Sequence, residues 1–435
     1  MWKKFAGAAA AAVILASAHT AHAKTEIELW HAMGGNLGER VIEIASLFNA
    51  AQSDYEVKPV YKGNYTETMT AAIAAFRANE QPHVVQVFEV GTATMMAAKG
   101  AVYPVYQMMA DAVIDWDPNA YLPAVKSYYT DTEGNMLSLP FNSSTPVLWY
   151  NKDMLDKAGV EVPTTWDEMF AAADAVRASG AECGFSFGWQ SWVMIENFSA
   201  WHNLPIGTKE NGFAGLDTEF TFNNDKVAGI LQRIADSQES GAFKYGGRRG
   251  ESLPMFMGQK CAMWINSSAY YSGISKNAKF SYGQAMLPLD TSIADKPQNS
   301  IIGGATLWVL QGRESEEYKG VAQFFNFMSS TYVQANWHQT TGYVPITTAA
   351  GELSQAQGFY ESNPYTDTAI KQLSLNTPIP NSKGLRFGSF VQTRDIINEE
   401  LEALWAGDKT AQEALDAAVA RGNALLRRFE AANSN

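Results

Sequence analysis

The sequence predicts an α/β protein with more than one domain. Segments of strand-like and helical periodicity alternate from Ile27 to Lys99, the pattern of a mainly parallel sheet with helical crossovers. The alternation restarts at Pro146, just after Leu137-Ser138-Leu139-Pro140-Phe141. The chain, at 435 residues, is also longer than one ordinary core supports, since a domain takes roughly 100–200 residues.

In chain order, Lys3 and Lys4, an apolar stretch from Phe5 to Ala18 and Ala21-His22-Ala23 form a secretory leader, with cleavage expected after Ala23. The stretch is short of the roughly 20 residues a spanning helix needs, and no Cys at the cleavage point offers a lipid anchor. A periplasmic location follows as the expectation. Ile27 to Trp30 reads as a strand. Leu37, Val41, Ile44, Ala45 and Phe48 then repeat at helical spacing. Tyr55 to Tyr61 alternates as a strand, Tyr65 to Arg77 is helical, His83 to Phe88 is a strand and Thr92 to Lys99 a helix. In the second part Pro146 to Asn151 is a strand. Thr165 and Glu168 have capping-box spacing, which starts a helix running to about Ser179. Helices are expected near Asp225–Gln238, Glu251–Met257 and Glu317–Met328, and strands at Lys260–Ile265, Phe280–Leu287 and Ile301–Leu310. Thr410 and Glu413 form a second capping box, and Leu415, Val419, Leu426 and Phe429 share one face of the last helix.

Composition excludes several functions. Without the leader, 30 basic side chains stand against 45 acidic ones, about −15, and no basic block is present. Such a chain is a poor ligand for nucleic acid or an anionic membrane, although a few aimed donors still hold a small anion locally. Cys183 and Cys261 are too few for a disulfide framework or a zinc site; one bridge or two free thiols are both open. His31, His83, His202 and His338 are widely spaced, so no metal site is expected. No Gly-x-Ser-x-Gly elbow, His-Glu-x-x-His, Walker loop or dinucleotide turn occurs, so neither an enzyme nor a cofactor is expected.

Tyr150-Asn151-Lys152-Asp153, Ala158-Gly159 and Pro163-Thr164-Thr165-Trp166-Asp167-Glu168 resemble the extracellular solute-binding proteins of ABC importers, the family that includes maltose-binding protein. Tyr61-Lys62-Gly63-Asn64-Tyr65, Phe88-Glu89-Val90-Gly91-Thr92, Phe141-Asn142-Ser143-Ser144-Thr145 and Ile301-Ile302-Gly303-Gly304-Ala305 narrow the likeness to the members that serve glycerol-phosphate importers. So do Thr341-Gly342-Tyr343-Val344-Pro345 and Lys383-Gly384-Leu385-Arg386. The resemblance implies two α/β lobes joined by hinge strands, with a ligand cleft between them. It assigns 24–141 plus 306–340 to the first lobe and 145–300 plus 345–435 to the second. The crossovers fall at 142–144, 301–305 and 341–344. It also implies a monomer that captures sn-glycerol 3-phosphate or glycerophosphodiesters such as glycerophosphocholine and delivers them to inner-membrane permease subunits with a cytoplasmic ATPase.

The positions matching that family's ligand contacts suit a phosphate monoester, which must exchange water for several donors and one cation. Arg394 would supply the charged fork, Ser144 and Ser267 hydroxyls, Gly304 a backbone N–H, and Tyr65 and Tyr343 phenols. Glu89 would accept from the glycerol hydroxyls, leaving a carboxylate at one end and donors at the other. Trp189 and Trp192 would wall the carbon face and hold a choline cation. The bulk of Trp264 and Tyr270, after Cys261, decides whether the cleft is narrowed. Taken singly, each position also has an ordinary reading: a surface arginine, a solvated glutamate, packed indoles or a turn glycine. A sugar-binding member of the fold and a secreted phosphodiesterase are the rival functions.

Overall fold

The computed structural model describes residues 24–434; the expected leader and its cleavage point after Ala23 lie outside the described residues. Ten strands run in chain order: β1 (Thr25–His31), β2 (Tyr55–Tyr61), β3 (Val84–Phe88), β4 (Val102–Tyr103), β5 (Leu139–Ser144), β6 (Pro146–Asn151), β7 (Cys183–Phe187), β8 (Cys261–Ser267), β9 (Tyr282–Ala285) and β10 (Gly303–Leu310). One sheet has the order β2-β1-β3-β10-β4, with β5 also on β10; the other is β7-β8-β6-β9.

The expectation of a mainly parallel sheet holds only for part of each. β1 pairs parallel with β2 and β3, because helices Gly35–Ala51 and Tyr65–Ala78 carry the chain back between them. β10 enters antiparallel between β3 and β4, returning from the second sheet. In the second sheet β7 and β8 are parallel, while β6 is antiparallel to β8 and β9.

Burial follows the sequence patterns closely. Every residue of β3 is buried, as a strand covered on both faces requires. Helix Gly35–Ala51 turns Val41, Ile44, Ala45 and Phe48 into the core, and Leu37, on the same face, is half-buried against that core where it borders the cleft. Both anticipated capping boxes form, at Thr165/Glu168 and Thr410/Glu413, and Asn64/Glu67 makes another. Helix Ala411–Asn433 buries Leu415 and Leu426 together with Ala411, Ala414, Ala418 and Gly422; Val419 and Phe429 are only half-buried. The small residues let it approach helix Phe390–Trp405: a Cβ on Gly422 would stand 3.2 Å from Thr393. Other expected ends shift by a few residues. The Thr92 helix stops at Ala97, the Glu251 helix starts at Leu253, and Phe280–Leu287 contracts to β9.

Cys183 and Cys261 are bonded. They are direct register partners on parallel β7 and β8, fully buried, with Cα atoms 4.6 Å apart. The bridge closes a 78-residue separation.

The sheets meet where the chain crosses between them. Only Thr145 separates β5 from β6, and its hydroxyl lies 2.6 Å from Ser300 Oγ, just ahead of β10. Val344 N–H donates to Ser143 O at 2.8 Å, and Gly303 is the register partner of Ser144. Three passages of backbone are therefore tied together beside the cleft.

Candidate ligand-binding site

Parallel strands deliver their carboxyl ends to one side, and in open α/β sheets ligands collect there. A cleft of about 310 Å³ opens at this edge of both sheets. The residues after β1 (Ala32 to Leu37) and after β3 (Glu89) line one wall; those after β7 (Trp189, Trp192) and β8 (Ser267, Tyr270) line the other. β5 contributes its last residue, Ser144, and antiparallel β10 its first two, Gly303 and Gly304. Tyr65, Tyr343 and Arg394 complete the lining, so all nine residues singled out from sequence face one cleft.

The donors are held by a directed relay. Gln86, fully buried on β3, accepts from Ala32 N–H at 2.8 Å and donates to Asn142 Oδ1 at 2.8 Å. Asn142 Nδ2 then donates to the Tyr65 hydroxyl at 2.9 Å. With its oxygen already accepting, Tyr65 directs its proton away from Asn142. Burial pushes the Tyr65 phenol well above its ordinary range and Tyr343 up to about 12, so both remain donors at neutral pH. The Tyr65 ring stacks on Phe88, centroids 5.3 Å apart, and Tyr343 lies parallel to Trp337 at 5.8 Å. Ser267 Oγ accepts from Ala269 N–H at 3.1 Å, which leaves its proton to donate. Gly304 has φ +109°, and a Cβ there would come within 1.9 Å of Asn142 O; only glycine fits. A Cβ on Gly303 would strike the Trp192 indole at 2.4 Å. The uncapped start of helix Gly35–Ala51, at Gly34, also lines the cleft and brings the positive end of its dipole.

The charged residues are arranged differently from the expectation. Arg394 Nη2 donates to Glu89 Oε1 at 2.6 Å, and Arg394 Nε and Nη2 bind Glu196 as a fork at 2.7 and 2.6 Å. Glu89 and Arg394 thus sit together and do not mark opposite ends of the cleft. Burial alone favours neutral forms, and it raises Glu89 above the ordinary carboxylate range even though Arg394 pulls it down. Burial lowers Arg394, but Glu196 and Glu89 more than offset this, and its net shift is upward. Arg394 is therefore a permanent cation enclosed by two carboxylates.

Trp192 is buried, with its N–H directed at Ile302 O, 3.4 Å away. Trp189 is half-buried in a left-handed backbone conformation (φ 48°), with the Arg249 guanidinium 5.4 Å from its ring centroid. One cation therefore already occupies the neighbourhood where a choline was expected. Trp264 does not reach the cleft: it is fully buried and donates to Ser252 Oγ at 2.7 Å. Tyr270 does, narrowing the wall after β8.

Sequence reasoning missed Glu196, Asn142, Gln86 and the Ala32–Leu37 segment. Glu196 lies on a π-helical turn, Ser191–Asn197, which no periodicity rule anticipates. The doublet Gly34-Gly35 directly after a strand was the one available signal for the β1 loop. His31, His83, His202 and His338 are buried and separate, and among the described residues no cluster of three or more potential metal ligands occurs.

Residues 43–367 match the profile of the bacterial extracellular solute-binding proteins. The sn-glycerol-3-phosphate-binding periplasmic protein UgpB of Yersinia pseudotuberculosis is 50% identical, over 97% of each chain. The protein of the same name in Salmonella typhimurium is 49% identical over 98% of each. Among solved structures, UgpB from Mycobacterium tuberculosis in complex with glycerophosphocholine superposes with a TM-score of 0.76 at 20% identity, covering 93% of this chain and 99% of that one. The GacH receptor of Streptomyces glaucescens gives 0.78 at 20% identity, covering 94% and 100%. At that identity these structures speak for the fold alone.

Proposed function

The chain belongs to the bacterial extracellular solute-binding proteins, and from that premise we propose that it is the periplasmic binding component of an ABC importer for sn-glycerol 3-phosphate and related glycerophosphodiesters. One observation carries the reading: hydroxyl, phenol and guanidinium donors, a glycine approach and two indoles converge on one cleft between the sheets. Arg394, Ser144, Ser267, Gly304, Tyr65 and Tyr343 serve the phosphate; Glu89 accepts from the glycerol hydroxyls, and Trp189 and Trp192 pack on the carbons. The lobes divide as 24–141 with 306–340 and 145–300 with 345–435, and they hinge at 142–144, 301–305 and 341–344. Closure on the ligand presents the protein, a monomer cleaved after Ala23, to permease subunits with their ATPase. It binds and releases without chemistry.

Calorimetric titration of ligand-stripped protein with glycerol 3-phosphate, glycerophosphocholine and maltose tests this, with a parallel check for released product. Saturable binding of either phosphate compound without turnover is the expected result. Heat from maltose alone would favour a sugar binder, a reading that the Glu89 carboxylate and the two indoles in the cleft also suit.

A further inference from the structure

The charge count at the polar end of the cleft has a consequence for ligand choice. Arg394 is the single cation among the described residues lining the cleft, and two carboxylates already bind it. All three are buried: Arg394 7% exposed, Glu89 3% and Glu196 1%. Ion pairs of 2.6 Å are charge-assisted bonds between a guanidinium and carboxylates, and with both carboxylates ionised the cluster carries one net negative charge. The other donors facing the ligand are neutral hydroxyls and N–H groups. Glu196 is the better placed of the carboxylates. It grips both Nε and Nη2, its Oε1 also accepts from Ser191 Oγ at 3.0 Å, and this fork fixes the guanidinium plane.

We propose that Glu196 is a positioning residue that sets both the orientation of Arg394 and the net charge of the site, so that the cleft prefers singly charged phosphodiesters to the doubly charged phosphate monoester. The inference rests on the phosphate reading above. A phosphate monoester carries about −1.5 to −2 charges at neutral pH, a diester one. Each extra ligand charge meets a net negative cluster in a desolvated site, where repulsion over a few ångströms is worth a tenfold factor or more even at an effective dielectric of roughly 20. The neutral hydroxyls can solvate one phosphoryl charge, but none is a second cation for another, and the Arg249 guanidinium sits over the Trp189 ring, outside the residues that line the cleft.

The test compares glycerol 3-phosphate with its phosphate methyl ester, which differ by one charge and one methyl, at neutral pH in wild type and in Glu196→Gln. Wild type is expected to bind the methyl ester roughly tenfold or more tightly. Glu196→Gln keeps an acceptor on Arg394 and removes one negative charge, so the monoester should gain and the ratio collapse toward one. Equal wild-type affinities overturn the inference without any variant, and so does a ratio left unchanged in Glu196→Gln while both ligands weaken. If wild type binds neither compound, the phosphate reading itself fails and this inference with it.

Discussion

Removing the buried cation by Arg394→Ala has two separable consequences. The first is on binding. Truncating one partner of a buried charged contact costs about 2–5 kcal/mol, so affinity for glycerol 3-phosphate should fall roughly 30-fold to several-thousand-fold. The second is on folding. Glu89 and Glu196, both buried, lose the guanidinium that binds them at 2.6–2.7 Å, and breaking a buried pair from one side costs about 3–5 kcal/mol. That loss depends on pH with a definite sign. In wild type burial raises Glu89 and Arg394 opposes it. In the variant burial and the Glu196 charge, the largest causes left, push Glu89 further up, opposed only by the smaller effect of a backbone hydrogen bond. A carboxyl with a folded pKa above its unfolded one favours the fold below the unfolded value, and that contribution is lost as pH rises through the folded value. The variant should therefore lie close to wild type near about pH 5 and fall well below it near about pH 7.5. Denaturant unfolding at the two pH values, beside calorimetric titration, measures both effects. Unchanged affinity, or a deficit equal at both pH values, would refute the assignment of Arg394 as the charge that the cleft is built around.

Gly304→Ala should destabilise the protein by at least about 1–2 kcal/mol and weaken ligand binding, because φ +109° and the Asn142 carbonyl leave no place for a methyl group; an unaltered melting curve would contradict the close approach. Replacing both Cys183 and Cys261 by Ser removes a cross-link spanning 78 residues, worth about 4.5 kcal/mol in the chain-entropy account, and the denaturation midpoint should drop accordingly. Trp189→Ala should cost glycerophosphocholine more than glycerol 3-phosphate if the choline shares the indole with Arg249, and titration of both ligands reads the difference. Equal losses would place the ring on the shared glycerol.

Much of the fold was legible because local rules decided it. Thr165/Glu168 and Thr410/Glu413 are capping boxes in three-residue spacing, and the β-branched run of β3 reads as a strand. Leu37 shows the limit: its spacing matches Val41 and Phe48 and it packs on the same core, but that spacing could not tell that the first turn of its helix also borders the cleft. Of the candidate site, the nine positions could be named from likeness to a family, and each reaches the cleft. Their mutual arrangement could not be named, because hydrogen bonds between residues 305 positions apart, such as Arg394 and Glu89, leave no trace in periodicity.

By itself the sequence determined the α/β class, the order of the early strands and helices and the acidic composition. All of these depend on neighbours within a turn or a strand, or on simple counting. Only the tertiary structure decided that Cys183 and Cys261 join, that β10 returns antiparallel between β3 and β4, and that Trp264 stays in the core while Tyr270 enters the cleft. It also decided that Glu196, unremarkable on its segment, encloses Arg394. The reason is common to all four: pairing energies and desolvation depend on distances set when remote segments pack, and a buried charge acquires its partner only then.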